Sequence, residues 1–121
     1  MLATDILSKF PLIKDYWHPH IIGELNGQDV KIARVCGSFD WHNHPAEDEL
    51  FIVWKGTLFI ELEDKTIEIP TGHMHIIPKG QLHRPFTKEE EEVWIMMMEP
   101  AGTLNTGDRQ TDKTVANPPR L

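Results

Sequence analysis

The chain has 121 residues, 40% hydrophobic and 26% charged, enough for one buried core and too few for two independent ones. Its 12 basic and 19 acidic residues leave a net charge of −7, which argues against nucleic acid or an anionic membrane as a partner, since both need clustered Lys and Arg. No apolar run approaches the roughly 20 residues of a membrane-crossing helix. The opening Met1-Leu2-Ala3-Thr4-Asp5 has no basic stretch leading into an apolar one, and the single cysteine, Cys36, makes no internal disulfide. A cytoplasmic protein is expected.

In chain order, Ala3 to Phe10 predicts a short helix capped by Thr4 and stopped at Pro11. Short apolar runs separated by turn residues follow. Ile21 to Leu25 leads into Asn26-Gly27, a hairpin signal, and Val30 to Phe39 is the next run. Leu50 to Trp54 ends at Lys55-Gly56. Leu58, Ile60 and Leu62 alternate with Thr57, Phe59 and Glu61. Ile67 and Ile69 precede the turn Pro70-Thr71-Gly72, Met74 to Ile77 ends at Pro78-Lys79-Gly80, and Val93 to Met98 closes at Glu99-Pro100. Strands every eight to twelve residues with Gly, Pro or Asx between them predict an all-β sandwich or barrel. The acidic run Lys88 to Glu92 reads as a solvated turn. Residues 1–25 form an N-terminal extension, 26–100 the barrel, and 101–121 a polar tail without a core of its own.

The chemistry concentrates in Trp41-His42-Asn43-His44-Pro45-Ala46-Glu47-Asp48-Glu49. On a strand, i and i+2 share a face, so His42 and His44 would project together and can bind one metal ion. Pro45-Ala46 breaks the strand, and Glu49 opens the returning one, where its carboxylate can reach the same point. A third imidazole must come from elsewhere in the chain, and His83, after the turn Pro78-Lys79-Gly80, is the natural candidate. Three neutral nitrogens and one carboxylate suit Fe(II), Mn(II), Ni(II), Co(II) or Zn(II), and an octahedral ion so held keeps about two positions open.

These residues resemble the two cupin motifs. The first runs Gly37, His42-x-His44-x4-Glu49-x6-Gly56, with Gly37 one residue closer to His42 than is usual. The second runs Gly72-x5-Pro78-x-Gly80-x2-His83, with Thr87 where the family has Asn. The resemblance covers roughly residues 30 to 98. It implies a small jelly-roll barrel with a short N-terminal helix or extension, usually homodimeric, holding one divalent transition metal per chain at His42, His44, Glu49 and His83. Glu47 and Asp48 are rival carboxylates; Glu49 is preferred because it matches the family spacing and heads an apolar strand.

Other candidates have plainer readings. His73-x-His75 reads as surface or packing histidines, His18-Pro19-His20 as an exposed loop, and Cys36 as a small buried apolar residue. Arg84 could hold a substrate carboxylate or stand on an edge strand. Three kinds of function fit such a metal site: a dioxygenase-like oxidoreductase, a non-redox isomerase or lyase, and a module that binds a small metabolite without turning it over. A phosphosugar substrate would want several basic residues near the motifs, where only Lys55, Lys79 and Arg84 stand, and no DNA-binding segment accompanies the barrel. The expectation is a metal-dependent, dioxygenase-like enzyme acting on a small molecule. The well-placed titratable groups all go to the metal, so no general acid or base is assigned.

Overall fold

The computed structural model describes residues 1–121. After a helix α1 (Ile6–Lys9) and a 3₁₀ turn (Phe10–Leu12) come eight strands: β1 (His20–Leu25), β2 (Gln28–Val35), β3 (Glu49–Lys55), β4 (Thr57–Glu61), β5 (Thr66–Pro70), β6 (Met74–Ile77), β7 (Arg84–Phe86) and β8 (Val93–Pro100). They form two antiparallel sheets, ordered β1-β2-β8-β3-β6 and β5-β4-β7, which face each other as a jelly-roll barrel. The β1–β2 hairpin turns at Asn26 and Gly27, both at positive φ (49° and 79°), as a tight turn matched to the strand twist requires.

Period-two alternation decides what enters the barrel. Ala33 and Val35 of β2, Phe51 and Val53 of β3, Leu58 and Ile60 of β4, and Val93, Ile95 and Met97 of β8 pack into one buried cluster. The opposite face of the larger sheet is covered by the N-terminal segment, where Phe10 and Ile13 pack on Ile32 and Met96 and Phe10 stacks on Trp94 at 4.8 Å. This packing, rather than capping, holds α1: the expected Thr4 cap is absent, and Asp5 occupies the cap position without a side-chain bond.

One strand lies where none was expected. β7 contains Pro85, a residue that signals against a strand, yet it pairs with β4 through Phe59↔Phe86, Ile60↔Pro85 and Glu61↔Arg84. As an edge strand it needs no proline N–H, and the Pro85 carbonyl accepts from Phe39 N at 2.9 Å. Beyond β8 the tail lies along the barrel. Thr103 and Thr106 are buried, and Arg120 bridges Ile21 of β1. Polar bonds order this segment: the Asn105 carboxamide donates to Lys113 O and accepts from Val115 N, and Thr106 and Thr114 share a hydrogen bond. No helix is long and apolar enough to cross a membrane.

Candidate metal centre

The segment between β2 and β3 that carries His42 and His44 is a loop, not the strand expected from the spacing; it makes two isolated ladder contacts, Ser38 with Phe86 and, at the histidines, His42 with His83. The second contact sets the site. His42 N donates to His83 O at 3.0 Å and His83 N donates to His42 O at 2.9 Å, so two histidines 41 positions apart are placed side by side by main-chain bonds, with ring centroids 4.3 Å apart. His44 is tied to the same turn by Gly80 N, which donates to its carbonyl at 2.8 Å. Its ring centroid stands 5.0 Å from that of His42 and 5.8 Å from that of His83. Pro78-Lys79-Gly80 thus earns its place in the motif by holding the loop that bears the first two imidazoles.

Glu49 enters from the first position of β3, pointing inward in register with Phe51 and Val53. The ligand-type atoms of His42, His44, Glu49 and His83 all lie within 4.8 Å of one another, and the four residues are buried. The rival carboxylates lie elsewhere: Asp48 is exposed and accepts from Lys79 N, and Glu47 does not join the cluster.

The donor atoms are presented for coordination. His42 and His83 each place Nδ1 2.8 Å from a carbonyl two residues back, Asp40 O and Gln81 O, a contact that makes Nδ1 the protonated nitrogen and leaves Nε2 with a free lone pair. Buried His44 Nε2, His83 Nε2 and Glu49 Oε1 have no hydrogen-bond partner. Glu49 Oε1 stands 3.4 Å from His44 Nε2 and 3.5 Å from His83 Nε2. Donors that each lie about 2.1 Å from one shared ion stand about 3.0–3.4 Å apart, so these separations fit a cation between them. Burial, reinforced by His83, lowers the His42 pKa to about 4, against smaller opposing effects of the Asp40 carbonyl and Glu49, so this imidazole is neutral at pH 7 as a ligand must be.

Behind Glu49 lies a pair that sequence reasoning missed. Lys31 and Glu99 are each 1% exposed, with Lys31 Nζ 3.0 Å from Glu99 Oε1 and 3.1 Å from Thr103 O. Burial would raise the Glu49 carboxyl, but the neighbouring Glu99, His44 and His83 groups hold it well below the usual carboxylate range. Glu99 goes the other way, pushed well up by burial and then by the Glu49 charge, with Lys31 opposing. The two carboxyls therefore titrate as a pair, with Glu49 favoured as its anionic member. The signal was present: Glu99 continues the inward series Val93, Ile95, Met97, and Lys31 precedes Ala33 and Val35 on the inward face of β2.

A cavity of about 30 Å³ opens beside His42 and Glu49, walled by Val35, Phe39, Phe51, Ile95 and Met97. Trp17, Pro19 and Asn105 from the two terminal segments complete it. The tail also touches the ligand loop: a Cβ on Gly107 would sit 2.0 Å from Asn43 O and 3.2 Å from the His42 ring, so only glycine permits this approach.

The remaining candidates do other work. Arg84 is taken by Glu61 at 2.6 Å and lies over Trp41 and Phe86. His73 and His75 are on or beside the β5–β6 turn and join no cluster. His18 and His20 are half-buried rather than in an exposed loop, with their rings 5.2 Å apart and no third donor. Cys36 is partly exposed instead of buried, with its Sγ 3.3 Å from Glu90 O. Thr87, in the position of the family's Asn, accepts from Gly37 N through its hydroxyl at 2.7 Å, so the departure preserves a tie between the two motifs.

Residues 30–99 match the family model described as a cupin domain. The chain belongs to the cupin family. A solved cupin-2 domain containing protein from Shewanella frigidimarina NCIMB 400 is 41% identical, with a TM-score of 0.77 over 80% of this cupin and 93% of that chain. Protein NMB1881 from Neisseria meningitidis is 25% identical, with a TM-score of 0.73 over 83% of this cupin and 100% of its own chain. The Bacillus subtilis (strain 168) protein YdbB is 45% identical over 64 residues, which span 52% of this cupin and 57% of YdbB.

Proposed function

We propose that this cupin holds one divalent transition metal ion (Fe, Mn, Ni, Co or Zn) through His42, His44, Glu49 and His83, and that it is a dioxygenase-like enzyme acting on a small molecule. The observation that carries the metal assignment is the set of three buried donor atoms, His44 Nε2, His83 Nε2 and Glu49 Oε1, without a hydrogen-bond partner. Leaving such atoms unpaired costs about 1–3 kcal/mol each, a penalty that coordination removes. An ion bound there would supply Lewis acidity, open coordination positions and, for iron, a redox couple.

The chain's own contribution is to position and to dry. The Asp40 and Gln81 carbonyls orient two imidazoles, Glu99 favours Glu49 as the anion, and the apolar wall of Phe39, Phe51 and Met97 offers water few partners on the reacting side. The oxygenase reading is favoured over an isomerase or lyase because no titratable group other than the ligands lines the cavity, leaving no general base beside it.

A homodimer forms part of the proposal. The outward face of β6, the edge of the larger sheet, exposes Met74 and Ile76 beside the half-buried Ile52, an apolar strip that a second copy would cover. A cytoplasmic setting suits the single free thiol of Cys36.

Elemental analysis of the purified protein should give one metal per chain, lost in His42→Ala and His83→Ala. Stoichiometric metal retained by both variants defeats the assignment. Loading with Fe(II) under anaerobic conditions and then following O₂ consumption against a panel of small molecules tests the oxygenase reading, and no consumption with any member counts against it.

A further inference from the structure

We infer that the cavity beside the metal centre selects a short molecule with an uncharged, apolar body that binds through a single donor atom. The inference rests on the reading of the four-residue cluster as metal ligands and goes on to name the class of molecule the same site accepts.

The argument is an accounting of polar groups. Of the residues that wall the cavity, only His42, Glu49 and Asn105 bring ionisable or amide groups, with Trp17 adding its indole N–H. His42 and Glu49 are spent on the metal. The Asn105 carboxamide already bonds Lys113 O and Val115 N, and Trp17 Nε1 already donates to Cys36 O at 2.9 Å. A bound molecule therefore finds in the side chains of the wall only the second N–H and the second lone pair of Asn105. The nearby cations are equally committed. Lys31 is held by Glu99 and Thr103 O, Arg84 by Glu61, and Lys113 by Asp40 at 3.3 Å.

A carboxylate, a phosphate or a polyol whose polar groups face this wall rather than the metal would lose its water and gain at most the Asn105 carboxamide as partner, a loss that apolar contact does not offset. An alkyl group loses nothing there. The donor end is different, because it replaces its hydration by coordination. Size narrows the choice further. About 30 Å³ is two to three times what one water requires, roughly 10–15 Å³. The body thus has about two carbons while Phe39, Trp17 and Asn105 stay in place. Phe39 sets this limit, since its ring stacks on Trp17 at 4.9 Å and meets the His42 ring edge-on at 5.3 Å.

Two thiols with the same donor and similar bulk separate charge from size. Cobalt(II)-loaded protein, followed by its visible absorption, is titrated with ethanethiol and with mercaptoacetate. Ethanethiol should bind more tightly by about tenfold or more. Mercaptoacetate binding as well or better overturns the inference. Butanethiol should bind more weakly than ethanethiol in the wild type, and Phe39→Ala should reverse that order; a wild type indifferent to chain length overturns the size limit. A protein that takes up no cobalt refutes the metal assignment instead. The wall's preference is then read in the metal-free protein from the methyl resonances of Val35, Ile95 and Met97, which 1-propanol should shift and propionate should not. A response to propionate, or to neither, also overturns it.

Discussion

The two ends of the barrel interior are built by the same three strands on opposite terms. At one end β2, β3 and β8 bring together Val35, Val53, Val93 and Ile95, all 2% exposed or less. At the other, the same inward-facing positions carry Asp29, Lys31, Glu49 and Glu99, all 5% exposed or less, beside three buried imidazoles. The first end is stabilised by burial and needs nothing more. The second surrenders hydration at several ionisable groups and recovers it through mutual bonds and, on the proposed reading, a bound cation. Stability resides at one end and chemistry at the other.

That contrast can be broken most forcefully at Lys31. Lys31→Met leaves buried Glu99 and Thr103 O without their cation, and the metal-free protein should lose about 3–5 kcal/mol in urea unfolding. Saturating metal would offset the Glu49 charge that faces Glu99, so the deficit should shrink on loading; a deficit unchanged by metal would show that Lys31 acts on Glu99 and Thr103 alone. Next in size is the metal itself. At a hundred times its dissociation constant it should stabilise the wild type by about 2.7 kcal/mol and should leave His83→Ala unmoved, as read by thermal unfolding. At the apolar end, Ile60→Val should cost about 0.5–1.5 kcal/mol whether or not metal is present, because Ile60 belongs to the core and not to the cluster.

The smallest effect lies outside both ends. Arg34, with Trp94 and Tyr16, holds the Glu92 carboxyl down at about 2. A depressed carboxylate contributes stability above its unfolded value near 4.5 and loses it as pH falls toward 2. The Arg34 and Glu92 side chains are 21% and 27% exposed, so the contribution should stay below about 1 kcal/mol. Arg34→Met should flatten the fall in stability between pH 4.5 and 2, and an unaltered slope would remove the pair from the account.

How much of this was legible in the chain depends on what kind of bond made each feature. His42, His44, Glu49 and His83 are polar residues at fixed spacings, and spacing survives in a sequence, so the residues brought together are the ones the motifs named. Lys31 and Glu99 escaped because a charged residue in an alternating strand looks solvent-facing until its register is known. β7 was hidden by Pro85, whose missing N–H matters only in a central strand. Within the acidic turn, Glu91 accepts from Thr57 N and Glu92 anchors Arg34, so the run does more than solvate the chain. The tail read only as a polar segment without a core of its own because Asn105, Thr106 and Thr114 order it through polar bonds, which leave no hydrophobic period to detect.

The reciprocal bridge between His42 and His83 is made of peptide groups, which no side-chain replacement removes. Truncating either imidazole would therefore leave a vacancy with its walls still standing. Free imidazole diffusing into that vacancy would find the ring's place already shaped and could restore the missing nitrogen. On the proposed metal reading, the centre is a socket whose fittings are separable from its frame: peptide bonds set the frame and the side chains supply the fittings.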